Sequence, residues 1–216
     1  MATSNSTSFD LNVDDLIEES YERCGMRMTS GYQLNSARRS LNLLFLDWAN
    51  RGLNLWTIEQ ATLNLVASTT TYNLGTDIVN VLTAVVNDTN DIAIDRISRA
   101  EYLNLPNKTT TGRPAQYYVE RTNLPKIYLY PTPDKAYTFK YYRIRRIQDS
   151  GDYTNTLDVN FRFLPCLSAG LAYYLSLKFA PDRTAALKTF YEEEFARAAA
   201  EDRDTASVSF VPQVGT

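Results

Sequence analysis

The chain has 216 residues and a formal net charge of −3, with 44% hydrophobic and 22% charged residues, an ordinary balance for a globular protein. That charge gives no support to a free-standing nucleic-acid reader, which is usually basic, and no apolar run approaches the ~20 residues needed to cross a bilayer. Histidine, the commonest general base and metal ligand near neutral pH, is absent, which removes most familiar catalytic and metal-site designs.

Residues 1–10 are small and polar, with only Phe9 to anchor them, and read as a disordered start without the apolar stretch of a secretory signal. Asn12 then stands as the cap of a helix from Val13 to Arg23. Val13, Leu16, Ile17, Tyr21 and Cys24 form its buried stripe, while Asp14, Asp15, Glu18, Glu19 and Glu22 face water near the end that the helix dipole favours for anions. Gly25 ends it. Ser30 and Gln33 have capping-box spacing for a long second helix. Its apolar face is Leu34, Ala37, Leu41, Leu44, Phe45 and Trp48, and Leu43 and Leu46 widen that face enough for two neighbours. Gly52 can take the positive φ that closes a helix. Leu55, Trp56 and Ile58 then read as strand, with Trp48 and Trp56 marking the change from helical to β character.

From Leu53 to about Ile147 short strands alternate with turn residues, the pattern of an antiparallel sheet. They run from Leu53 to a turn at Ala67–Thr69, then over Thr70–Leu74, Ile78–Val86, Ile92–Ile97, Tyr117–Arg121, Ile127–Tyr130 and Tyr137–Ile147. Asn87–Asp91 is a turn, Ser98 caps a short helix from Arg99 to Leu103, and Pro106–Pro114 is the most loop-like stretch. Pro165 opens a third helix, where its missing N–H costs nothing; Leu164, Leu167, Leu171, Tyr174 and Leu175 line one face, and Ala169, Gly170 and Ala172 permit close approach. Asp182 caps a fourth helix from about Arg183 to Asp204, with the stripe Leu187, Phe190, Tyr191, Phe195 and Ala198. Glu193 with Arg197, and Arg197 with Glu201, are spaced as exposed ion pairs. The end, SVSFVPQVGT, alternates apolar and polar residues and has no core to join.

The expected fold class is α+β: a helical bundle formed by the N- and C-terminal helices, an inserted antiparallel β block and an extended C-terminal tail. The expected divisions are a disordered 1–10, a bundle of 11–52 with 161–205, a β-rich insertion of 53–160, and a tail of 206–216. Cys24 and Cys166 sit in apolar helical contexts and read as small buried hydrophobes. No phosphate loop, nucleophile elbow or metal-ligand spacing is present, so neither a catalytic residue nor a cofactor is expected.

Two features remain as candidate contact sites. Tyrosine is over-represented, with 15 copies; it suits strands and wet interfaces because it joins an apolar ring to a hydroxyl. The stretch KYYRIRRI, Lys140 to Ile147, would carry Phe139, Tyr141, Arg143 and Arg145 on one strand face and Lys140, Tyr142, Ile144 and Arg146 on the other. Arg143, Arg145 and Arg146 could meet a nucleic-acid backbone, or pair with carboxylates of the same chain or of a neighbour. A nucleic-acid-binding module is therefore the alternative to a structural role, and a carboxylate-dependent enzyme a weaker one.

The run QLNSARRSLNLLFLDWANRGLNLW, preceded by DLIEESYERCG, resembles the N-terminal half of the head-to-tail adaptor proteins of short-tailed bacteriophages. TYNL, RISRAEYLNLPNK, GRPAQYYVER, IYLYPTPD, YYRIRRIQDSGD and LPCLSAGLAYYLSLKFAPDR continue the likeness in the same order. The resemblance implies a structural virion protein, assembled in the host cytoplasm, that forms a ring of twelve copies beneath the portal. It implies that the ring extends the DNA channel, helps retain packaged double-stranded DNA and provides the platform for a tail nozzle or tube protein. It further implies that the C-terminal segment, with Val208, Phe210, Val211, Pro212 and Val214, grips the portal. Lys108, Arg113, Tyr117, Tyr118, Tyr141 and Tyr142 would then meet a neighbouring subunit or tail component, and the three arginines the channel or an interface.

Overall fold

The structure, a computed structural model, describes Asn5, Phe9 and residues 11–52 and 55–201. It is mixed α and β. Its helices are α1 (Val13–Arg23), α2 (Gly31–Arg51), α3 (Arg99–Asn104), α4 (Leu164–Phe179) and α5 (Thr184–Glu201). Its strands are β1 (Ile58–Leu65), β2 (Thr71–Asn73), β3 (Ile78–Asn87), β4 (Asp91–Arg96), β5 (Thr111–Gly112), β6 (Gln116–Glu120), β7 (Lys126–Tyr130), β8 (Thr132–Pro133) and β9 (Tyr137–Arg145). Two compact units result: residues 1–55 with 148–216, and residues 56–147.

In the first unit α4 packs against α1, α2 and α5. Through its middle the sequence is apolar or small all round, as in a helix enclosed by its neighbours: Cys166 to Ala172, Leu175 and Ser176 are buried, while Leu177 and Lys178 near its end are exposed. Gly170 is required where α4 meets two neighbours, because a Cβ there would lie 2.8 Å from the Tyr191 ring and 2.9 Å from Leu44 Cδ2. The expected caps of α1 and α2 are present. Asn12 Oδ1 accepts from the Asp15 N–H at 2.7 Å, and Ser30 Oγ accepts from that of Gln33 at 3.4 Å. The reciprocal bond of the second cap falls one residue early, since Gln33 Oε1 accepts from the N–H of Thr29 rather than Ser30. Gly52 closes α2 at φ 83°.

Three local expectations need correction. Leu55–Thr57 is a 3-10 turn rather than strand; adjacent Leu55 and Trp56 do not alternate, and the period of two begins only at Ile58. Asp182 lies inside a further 3-10 turn, Pro181–Arg183, so α5 starts at Thr184. Arg197 pairs with Glu194, at 2.9 Å, instead of Glu193, as i,i+3 neighbours on a helix can. The stripe of α5 is also shallower than its pattern suggests: Tyr191 and Ala198 are buried, but Phe190 is 41% exposed.

The second unit is a seven-stranded sheet in the order β1-β9-β3-β4-β6-β7-β2, with β5 and β8 as a separate pair. It is not wholly antiparallel: β4 pairs β6 in parallel, Asp95 opposite Gln116 and Arg96 opposite Tyr117, and β5 pairs β8 in parallel. A parallel step needs a crossover connection, and α3 supplies it, opened by a full capping box between Ser98 and Glu101. Strand β3 carries two register shifts against β9, between Ile78 and Asn80 and between Val81 and Ala84. Such bulges free backbone groups. Two of them are satisfied locally: Arg96 Nη1 donates to the Val81 carbonyl at 2.9 Å and the Tyr117 hydroxyl to that of Leu82 at 3.4 Å. Beneath this lies a core of Leu65, Val81, Val86, Tyr117, Ile127, Leu129, Phe139 and Tyr141, among others.

Candidate functional site

The residues with chemical potential separate into those consumed by the fold and those left on its surface. Among the described residues no group of three or more His, Cys, Asp or Glu could hold a metal ion. Both cysteines are free and buried. The Cys24 thiol donates to the Ala172 carbonyl, and burial, with Glu194 nearby, pushes the Cys166 thiol up to about 12. Neither is a reactive thiolate near neutral pH.

The basic stretch lies on β9 only as far as Arg145, so Arg146 and Ile147 fall beyond the strand rather than on its faces, and its charge is largely neutralised within the unit. Arg143 is held by Glu59 across the β1–β9 pair, in direct register, and by Asp77 at 3.2 Å. Arg145 Nε lies 3.5 Å from the other oxygen of Glu59. Arg146 is exposed, and its backbone N–H donates to the Asp77 carbonyl. Of the two partners left open for these arginines, a phosphate backbone or carboxylates, intramolecular carboxylates take two of the three.

The tyrosine set divides similarly. Tyr117, Tyr118 and Tyr141 are 1%, 9% and 6% exposed, so their side chains are committed to the core and give a partner little to touch. Tyr118 stacks with Tyr102 and Tyr128 at ring distances of 5.4 and 5.7 Å. Lys108 lies over the Tyr102 ring while its ammonium donates to the Leu103 and Leu105 carbonyls, closing the end of α3. Arg113 and Tyr142 are exposed and remain available for contact. Val208, Phe210, Val211, Pro212 and Val214 lie outside the described residues. The Tyr102–Tyr118–Tyr128 stack and the carboxylate partners of the arginines escaped the sequence reading, because both depend on which strands lie side by side.

The surface also retains large apolar side chains. Helix α2 has more than one neighbour, α4 and α1 on its buried side and α5 through Trp48, but Leu43 and Leu46 are 55% and 59% exposed, so the surface by which they widen its face is not covered by the described residues. Phe9 and Phe161 are also exposed, their rings 6.2 Å apart. Isolated exposed leucines need no explanation, but a repeated apolar stripe on one helix is what an interaction surface looks like.

A family model, SU10 adaptor protein, matches residues 12–214 and so spans both units. The chain belongs to the SU10 adaptor protein family. The adaptor is thereby a structural component of a bacteriophage particle, associated with its portal and tail components. No curated protein matches the adaptor's sequence. No described helix is long and apolar enough to cross a membrane.

Proposed function

We propose that this adaptor assembles as a ring of twelve copies below the portal, extends the DNA channel, helps retain packaged DNA and offers the platform on which a tail nozzle or tube protein docks. The observation that carries the reading is the family match across both units. In this reading the helical unit forms the body of each subunit and the β unit meets tail or neighbouring components, with Arg113 and Tyr142 among its contacts. The neutralised arginines Arg143 and Arg145 favour a wall along which DNA slides over a site that grips it. The segment 206–216, with its apolar–polar alternation, docks on the portal as an added strand or in a groove.

Removal of residues 206–216 tests the portal assignment. The truncated chain is expected to keep the helical circular dichroism and melting behaviour of the full chain while losing co-sedimentation with portal rings. Undiminished portal binding by the truncated chain would refute the assignment to the tail.

A further inference from the structure

The surplus surface of α2 has a definite composition. Tyr32, Asn35, Arg39, Leu43, Leu46 and Asn50 follow one another at intervals of three or four, so they share one helix face, and all six are exposed. The opposite side of α2, through Ala37, Leu41, Leu44, Phe45 and Trp48, is buried. The exposed stripe therefore has an apolar centre in Leu43 and Leu46, one cation and no carboxylate, and its Asn35 accepts from the Tyr153 hydroxyl at 3.2 Å. Asp47, the one acid on α2, lies outside the stripe and is tied to Arg51 at 2.9 Å.

A second patch on the same unit has the complementary character. Asp14, Asp15, Glu18 and Glu22 are exposed along α1, and no ion pair involves them among the described residues. The start of α1 is fastened to the segment before α4: the Val13 and Asp14 N–H groups donate to the Asn155 and Tyr153 carbonyls. That segment leads to the exposed Phe161, which stacks with Phe9 over a shallow depression lined by Leu11, Leu157 and Val159. This patch is apolar with anions and shares no residue with the first.

We infer that the α2 stripe of one subunit docks on the α1–Phe161 patch of the next, Leu43 and Leu46 covering the phenylalanine pair and Arg39 facing the α1 carboxylates. Two different patches that complement each other make a heterologous contact, and a heterologous contact whose rotation closes generates a ring. The inference rests on the ring reading above and deepens it, moving the subunit contact from the β-unit tyrosines to the helical unit. Charge of opposite sign at the two patches favours this pairing over stripe-to-stripe dimers, in which Arg39 would meet no carboxylate of the partner's stripe.

Cysteine cross-linking tests it, because the two native thiols are buried. Leu46→Cys and Thr156→Cys, the second at an exposed position lining the depression beside Phe9 and Phe161, are made singly and together in the full chain. Each is treated with a short bis-maleimide, alone and with portal protein, while sedimentation of the untreated protein reports assembly. The double variant is expected to give a ladder of covalent multimers and each single variant none. Dimers from Leu46→Cys alone would mean that α2 stripes meet each other, which overturns the inference. Absence of a ladder from a protein that still assembles overturns the contact and leaves the ring reading standing. Failure of the unsubstituted chain to assemble under either condition overturns both.

Discussion

Tyr191 joins three helices. Its hydroxyl accepts from Trp48 Nε1 at 3.0 Å, its ring stacks on Tyr173 at 6.1 Å, and the Arg51 guanidinium lies 5.3 Å from its centroid. Burial, the largest influence, drives its phenol well above the usual tyrosine range, so the hydroxyl keeps the proton that it donates toward Asp47 Oδ2 at 3.5 Å. Tyr191→Phe keeps the ring and strands the indole N–H of a Trp48 that is 0% exposed; an unsatisfied buried donor costs about 1–3 kcal/mol. A lowered denaturant midpoint with unchanged m-value is the expected result, and an unchanged midpoint would mean that the bond contributes nothing. Trp48 and Tyr191 were both legible as buried members of helical stripes. Their bond was not, because periodicity gives the face a residue occupies and is silent on which residue lies opposite.

Helix α4 gains its contacts by being small at its centre. Gly170→Ala would raise helix propensity by about 1 kcal/mol, yet its Cβ would press on the buried Tyr191 and Leu44, and overpacking a tight core costs about 1–3 kcal/mol. The second effect should win, so thermal unfolding of the variant is expected at lower temperature; a stabilised variant would show that the crossing has slack. Close approach at this position was legible from Ala169, Gly170 and Ala172. The sheet was legible in its strands but not in its order. The parallel step of β4 onto β6 and the seating of Glu59 opposite Arg143 follow from register, which alternation alone does not specify. For that reason alternation left both phosphate and carboxylate partners open for Arg143, Arg145 and Arg146, of which the first two are ion-paired within the chain. Leu43 and Leu46 show the reverse case: the surplus was visible in sequence, and the structure shows that the described chain does not cover it.

For the whole molecule, the absence of histidine has a measurable consequence. The carboxyls of Glu192, Asp91, Asp134 and Glu101 are held below their ordinary range, chiefly by hydrogen bonds from Arg51, Lys140, the Tyr137 hydroxyl and the Ser98 backbone respectively. A carboxyl whose pKa is lower folded than unfolded contributes stability above its unfolded value and loses that contribution as pH falls through the folded value. Melting temperature should therefore be nearly level from about pH 5 to about pH 8, where no side chain of ordinary pKa titrates in a chain without histidine, and should drop below about pH 4. A step near about pH 6.5, the histidine range, would contradict that reading. The proposed assembly is a ring of this chain between portal and tail, closed by helix α2 of one subunit on helix α1 of the next. An electron cryo-microscopy map of the phage at its portal vertex tests it most directly. The account predicts a closed ring of this chain directly below the portal, with Leu43 and Leu46 buried against the neighbouring subunit; a map that places the chain elsewhere in the particle, or leaves those leucines in solvent, would contradict it.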